Sequence, residues 1–296
     1  MEIMIGNGLM TAKVNTHGGE LKSLRSKAGN EYIWDGSEYW KRSAPLLFPI
    51  VGGLEDGEVE IEGKTFHMGQ HGFARDKDWT VTENTGDSVT LTLTNDEDTH
   101  EKYPYPFLLS VRYALVNKSV EMTFTVKNTG TSEMVYCFGT HPAIRCPFES
   151  APGTEFEGYR VEFEKDEIPT QPTLTAEKII DRSARSSFMK DARTLLPRYD
   201  VFTAIDTVIF DEIHSHKIKL TEPVSGKYFE VRFDDFTQLG IWTPKAGAPF
   251  LCIEPWNGCA AIKGDGKKFT DKLGARALLP GKEKSFTLIL DAEHAE

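Results

Sequence analysis

Apolar and polar residues alternate along most of this chain with a period of two, in short runs punctuated by glycine, asparagine, aspartate and proline. That spacing puts one side of each run in a core and the other in water, so it predicts β-strands. The first run is Leu9 to Val14. Glu58 to Glu62 and Lys64 to Met68 predict a hairpin turning at Gly63, and Val89 to Thr94 alternates cleanly. Leu108 to Leu115 and Val120 to Val126 flank Asn117-Lys118 and predict a second hairpin. Val161 to Phe163, Lys217 to Thr221, Tyr228 to Phe233 and Ser285 to Leu290 continue the series. No helical segments of ten or more residues alternate with these strands, which favours an all-β sandwich or barrel over a βαβ architecture. Only Lys190 to Leu196 and Lys267 to Leu273 suggest single helical turns. The acidic runs Asp96-Glu97-Asp98 and Glu164 to Glu167 read as solvated loop faces. No fixed-period repeat and no Gly/Ser-rich linker divides the 296 residues, so one domain over 1–296 is the simpler expectation.

Composition narrows the class of partner. A formal net charge of -11 argues against nucleic acid and anionic membrane, both of which attract positive surfaces. No apolar run approaches the roughly 18 residues of a membrane span. The first residues, Met1 to Gly6, lack the basic stretch and apolar core of a leader, so a cytoplasmic location is expected. The four cysteines, Cys137, Cys146, Cys252 and Cys259, have neither close paired spacing nor scaffold density and are expected to be reduced.

Several motifs fail on inspection. Gly57 to Thr65 has five residues between its glycines where a phosphate-binding P-loop needs four, and it reads as a hairpin. His67 and His71 have a metal spacing only if they lie on a helix, and the context is β. No nucleophile elbow or dinucleotide-binding glycine fingerprint occurs, so no metal and no cofactor is expected.

Three stretches carry dense polar chemistry in apolar surroundings. In Phe250-Leu251-Cys252-Ile253-Glu254-Pro255-Trp256 four apolar residues precede one carboxylate, so burial should push Glu254 toward the pKa range of a general base. Pro255 holds Glu254 in the extended region, and Trp256 offers a flat apolar face suited to the C–H face of a sugar. In Phe138-Gly139-Thr140-His141-Pro142, His141 also precedes a proline and can move a proton near neutral pH. In Gln70-His71-Gly72-Phe73-Ala74-Arg75 an amide, an imidazole and a guanidinium fall within six residues. Taken singly, Glu254 and each histidine are better explained as hydrogen-bonded structural residues; together they predict a base, an acid and a polar clamp converging on one concave site.

These residues resemble the aldose 1-epimerase (mutarotase) family, specifically its smaller bacterial branch, which is similar to the hexose-6-phosphate mutarotases. The matching signatures run through most of the chain: Gly18-Gly19-Glu20-Leu21, Tyr32-Ile33-Trp34, Ala44 to Gly52, Gln70 to Arg75, Gly139-Thr140-His141-Pro142, Gly240-Ile241-Trp242 and Cys252 to Trp256. The resemblance implies a large antiparallel β-sandwich of the galactose mutarotase-like kind, with few short helices and the sugar bound on a concave face. It implies that Glu254 takes the proton from the C1 hydroxyl while His141 protonates the ring oxygen. The ring then opens, C1–C2 rotates, and closure gives the other anomer. His71 would bind and polarise the sugar near C1 and O5, and Asp206 falls where the family keeps a substrate-binding aspartate. Gln70 and Arg75 match residues that hold phosphate in hexose-phosphate relatives, and a further cation before Ala44 falls on Arg42 or Lys41. The implied partner is a small sugar, a hexose or hexose phosphate, and the implied assembly is a monomer or homodimer. A non-catalytic carbohydrate-binding protein of the same fold is the alternative from another class. The central expectation is that His141 and Glu254 meet on either side of one pyranose.

Overall fold

The computed structural model describes residues 1–244 and 247–296. Strands take up 46% of the chain against 9% for helices, so the period-of-two reading of the sequence holds for the fold class. Ten strands form one antiparallel sheet, in the order Met189–Asp191, Thr194–Leu195, Arg160–Phe163, Lys217–Thr221, Tyr228–Arg232, Glu283–Asp291, Ser119–Asn128, Phe107–Val116, Ser88–Thr94, Thr80–Asn84. Its central strands alternate buried and half-buried positions. Val111 and Tyr113, Met122 and Phe124, and Phe286 and Leu288 therefore all turn to the same side.

A second sheet covers that side. Its strands are Thr207–Phe210, Gln238–Trp242, Phe250–Asn257, Phe138–Thr140 and Leu46–Leu47, with Ala143–Arg145 also pairing Phe250–Asn257. Phe124 and Phe286 face each other across neighbouring strands of the large sheet. Phe138 of the second sheet packs on both, at ring separations of 5.0 and 5.4 Å. One continuous core runs from Ile3 to Ala295. A three-stranded sheet, Glu2–Gly6, Met10–Asn15 and Glu20–Ser26, extends the structure on the N-terminal side.

Both hairpins form. Asn117 has φ 52° in the turn between Phe107–Val116 and Ser119–Asn128, and Glu62 and Gly63 both have positive φ between Glu58–Ile61 and Lys64–His67. This is the backbone that two-residue hairpin turns require.

The structure departs from the sequence reading in three places and narrows it in a fourth. Lys190 to Leu196 is not a helical turn but part of an edge strand and the strand next to it, because Leu195 pairs with Val161 and is buried. Lys267 to Leu273 forms a 3-10 turn only over Phe269–Asp271, anchored by buried Phe269. Asp96-Glu97-Asp98 is no loop face. Asp96 caps the helix Glu97–Lys102, accepting from Thr99 N at 2.7 Å while Thr99 Oγ1 accepts from Asp96 N at 2.8 Å; the following acids sit at the positive end of that helix. In the run Glu164 to Glu167, Glu167 is buried and accepts the backbone N–H groups of His214 and Ser215 at 2.9 and 2.8 Å. A second helix, Tyr199–Ile205, precedes Asp206. Among the described residues no helix is long and apolar enough to cross a membrane.

Candidate active site

Glu254 owes its position to the alternation of the Phe250–Asn257 strand, which is buried along its whole length. Leu251 and Ile253 enter the core between the sheets, whereas Phe250 and Cys252 pack on the opposite face with Trp34, Ala143 and Ala248. By the period of two, Glu254 and Trp256 share that opposite face, and both line a cavity of about 210 Å³. This is below the range of about 300–1,000 Å³ usual for drug-sized ligands and suits one small molecule.

His141 arrives by register. Gly139 lies opposite Trp256 and Ala143 opposite Cys252, so His141 falls opposite Glu254. Both residues precede prolines, which have no N–H for the ladder, and regular pairing lapses over 140–142. His141 Nε2 and Glu254 Oε2 are 3.0 Å apart, with the Glu254 side chain 1% exposed. The two therefore share one pocket but touch directly. No pyranose fits between them, which corrects the expectation of groups on either side of the ring.

Glycines make room around this pair. Gly240, opposite Glu254 on the other neighbouring strand, would bring an added Cβ to 2.4 Å from the Trp256 ring, and Gly139 to 2.7 Å. Trp256 thus lies against two bare stretches of backbone. Trp40 stacks on His141 at 4.8 Å, while Trp242 and His71 meet its ring edge-on at 5.6 and 5.7 Å.

The Gln70 to Arg75 stretch is laced to the segment before it. A Cβ on Gly72 would lie 2.3 Å from the Phe48 carbonyl oxygen, so only glycine permits the approach through which Phe73 N donates to that oxygen at 3.0 Å. His71 N donates to the Gly52 carbonyl, and Gly52 N donates back to His71 Nδ1 at 3.1 Å. Nδ1 is therefore an acceptor, and neutral His71 carries its proton on Nε2. Gln70 and Arg75 line the cavity, and Arg75 Nη2 donates to the Gln70 carbonyl at 2.7 Å. Arg42 and Lys41 do not line it. Arg42 instead donates to the Arg75 carbonyl at 3.1 Å and pairs with Asp76 at 2.6 Å, while Lys41 is exposed. Asp206 stands on the cavity wall, 3.3 Å from Lys178 Nζ.

Burial dominates the electrostatics. It pushes the Glu254 carboxyl well above its ordinary value, with the Asp206 charge adding to the effect. It pulls His141 down to about 3, with Arg75 and Arg42 contributing. It holds His71 well below 6.5, helped by His141, Arg75 and Arg42. A proton shared by the 3.0 Å pair therefore rests on the carboxyl, facing a neutral imidazole. Glu254 Oε1, His141 Nδ1, Trp256 Nε1 and Arg75 Nε are all buried without a hydrogen-bond partner in the protein. Buried polar atoms are normally paired, and all four belong to residues that line the cavity, with the Trp256 N–H close enough to Glu254 to oppose part of its rise.

Trp40, Trp242 and Lys178 also line this cavity without having been singled out. Trp242 lay within a matched signature, and Trp40 adjoins the cations before Ala44. Nothing around Lys178 in the sequence signals its place. His67 and His71, the pair with metal spacing, part company: His67 is exposed and His71 buried. Among the described residues His141, Cys252 and Glu254 bring three ligand atoms within 4.8 Å of one another. Burial raises the Cys252 thiol well above its ordinary value and so opposes the thiolate that a metal needs.

The family model of aldose 1-epimerase matches residues 1–274. Over 288 residues the chain is 33% identical to the chromosomal protein LacX of Lactococcus lactis subsp. lactis, covering 95% of each chain, and the plasmid form of LacX matches equally. A solved galactose mutarotase related enzyme from Lactobacillus acidophilus superposes with a TM-score of 0.90 at 30% identity, covering 98% of this chain and 97% of that one. A galactose mutarotase-like protein from Lactobacillus casei superposes with a TM-score of 0.87 at 28% identity, covering 98% and 99%. With the family model spanning most of its length and relatives of this similarity along nearly all of it, the chain belongs to the aldose 1-epimerase family.

Proposed function

We propose that the protein is an aldose 1-epimerase that interconverts the α and β anomers of a hexose, with Glu254 as base and His141 as acid. The observation that carries this reading is the 3.0 Å contact of His141 Nε2 with Glu254 Oε2 on the lining of a cavity scaled to one small ligand. The two oxygens that exchange protons during ring opening, O1 and O5, are both bonded to C1. A base and an acid in direct contact suit such neighbouring oxygens. In the ion-pair form, carboxylate and imidazolium, Glu254 takes the O1 proton as the C1–O5 bond breaks, and His141 delivers its proton to O5. The pair is left as carboxylic acid and neutral imidazole, which is the form that burial favours at rest. Rotation about C1–C2 and the reverse transfers close the ring on the other face. Net charge in the pair is zero throughout, but the reactive ion pair must first be drawn from the neutral resting form, a step that burial among Trp40, Trp242 and Trp256 opposes.

His71, donating from Nε2, would hold the ring-oxygen or O1 region, and Asp206, Gln70 and Arg75 would hold the remaining hydroxyls. A hexose phosphate is the second reading. It is favoured by Arg75, a guanidinium on the cavity lining whose Nε makes no hydrogen bond while its Nη2 is held by the Gln70 carbonyl; a guanidinium suits a phosphate. A purely sugar-binding role needs hydrogen-bond partners but no matched acid and base. Polarimetry on glucose, galactose and glucose 6-phosphate separates the three readings. Acceleration with the neutral sugars supports the first, with the phosphate alone the second, and with none of them the binding role.

A further inference from the structure

The ring of His141 has one hydrogen-bonding contact and one bare nitrogen. Nε2 meets Glu254 Oε2 at 3.0 Å, but Nδ1 is buried without a partner among the described residues. A catalytic imidazole is ordinarily held by a bond to its second nitrogen, which fixes ring angle and tautomer together. Packing has to do that work here. Trp242 and His71 meet only the edge of the ring, and the face is supplied by Trp40, at 4.8 Å and 31°.

Trp40 is itself the end of a series of stacked rings. Phe250 lies 6.0 Å from it at 26°, and Trp34 lies 4.9 Å from Phe250 at 27°. Trp34, Ala143, Ala248, Phe250 and Cys252 form a small apolar cluster apart from the main core, with Trp40 and Trp242 packed against it. Trp34 fastens both sides of this cluster. Its backbone N–H donates to the Ala143 carbonyl at 2.9 Å, two residues past His141, and its indole N–H donates to the Trp40 carbonyl at 2.8 Å. The chain after Trp40 is tied down as well. Ala143 N donates to the Ser43 carbonyl at 2.8 Å, and the buried Glu20 carboxylate accepts the N–H groups of Ser43 and Ala44. Trp40 is half-buried and lines the cavity, whereas Trp34 is 4% exposed and does not. Whatever Trp34 does for the site therefore passes through Trp40.

We propose that Trp34 is a positioning residue for His141: its hydrogen bond to the Trp40 carbonyl holds the Trp40 ring against the imidazole, and that face sets the angle at which Nε2 meets Glu254. The inference rests on the anomer-exchange reading for the acid role of His141, and on the ring geometry for the rest. The stack also bears on the acid step. An indole face attracts a cation within about 6 Å of its centroid, so Trp40 offsets part of what burial costs the imidazolium that must form before O5 is protonated.

Kinetics and crystal structures of three variants test this. Trp34→Phe keeps a ring in the stack and removes the N–H, Trp40→Leu removes the face, and Trp40→Phe keeps a smaller one. With a sugar that the wild type interconverts, kcat from exchange NMR should fall about tenfold in Trp34→Phe and in Trp40→Leu, since a small misplacement of a reacting group is costly. KM should stay within about twofold, and Trp40→Phe should recover part of the loss. In crystals of the two slow variants the His141 ring should be turned, with Nε2 out of hydrogen-bonding reach of Glu254. A merely structural Trp34 would lower the Tm and leave kcat alone. The proposal is overturned if Trp34→Phe keeps the wild-type kcat, if the loss falls on KM alone, or if both crystal structures keep His141 in place. A wild type that exchanges no sugar refutes the activity, and the crystal structures then decide the positioning role by themselves: a turned imidazole retains it and an unmoved one refutes it.

Discussion

At the scale of single residues the site is a set of polar groups held in forms they would not adopt in water. His141 and His71 are both kept neutral, His141 with a pKa of about 3 against an ordinary 6.5. Groups held below their ordinary value bind protons in the unfolded chain that the folded chain refuses. Their contribution to stability is full above about pH 6.5 and is lost as the pH falls toward about 3. For His141 alone the loss between pH 6.5 and 5 is about 2 kcal/mol. Glu254, raised by burial, has the opposite sign: its contribution is present below the ordinary carboxyl range and fades as the pH rises through its raised value. Urea unfolding at pH 7 and pH 5 should therefore show a smaller acid loss for the double variant His71→Asn, His141→Asn than for wild type. An identical loss would mean that neither imidazole is held neutral. The sequence announced these residues through their setting, since a carboxylate after four apolar residues and a histidine in a small-residue run both predict burial. It could not announce the 3.0 Å contact, which depends on a pairing across more than a hundred residues.

At the scale of elements, the site depends on three neighbouring strands and on the absence of side chains on two of them. Gly240 and Gly139 flank Trp256 at distances no Cβ tolerates. Gly240→Ala should push the indole off the sheet or bend the strand, at about 1–3 kcal/mol of overpacking, and should slow turnover by moving Trp256 beside Glu254. Differential scanning calorimetry with an activity assay checks both; an unchanged Tm would show that the ring yields freely. The two prolines after His141 and Glu254 were visible in the sequence as local stiffeners. Their joint meaning, a lapse in pairing where His141 meets Glu254, appears only once the strands are in register. The helix Glu97–Lys102 was missed because its capping aspartate lies in an acidic run that alone reads as a solvated loop. The strands within 190–196 were missed because Leu195 is strand only through its partners Val161 and Met189.

At the scale of the whole molecule, the large sheet supplies a floor beneath a smaller sheet that carries Glu254 and Trp256. Phe138 joins them, immediately before the Gly139-Thr140-His141 stretch, packing on Phe124 and Phe286. Phe138→Ala should cost about 3–5 kcal/mol, measured as a lower denaturant midpoint; a loss under about 1 kcal/mol would place the inter-sheet anchor elsewhere. Fold class was legible throughout the chain, because alternation is a local property of each strand. The wall formed by Lys178 and Asp206 was legible only at Asp206, and there only through family resemblance, because it joins a loop to a helix end far away in sequence.

The most direct test of the account is the rate of exchange between α and β anomers, read by exchange NMR on glucose, galactose and glucose 6-phosphate with wild-type protein and Glu254→Gln. The account predicts that wild type accelerates exchange of at least one of these sugars. It predicts that Glu254→Gln still binds that sugar but exchanges it about 100-fold more slowly, the scale of losing a positioned base. Equal rates for the two proteins would contradict it.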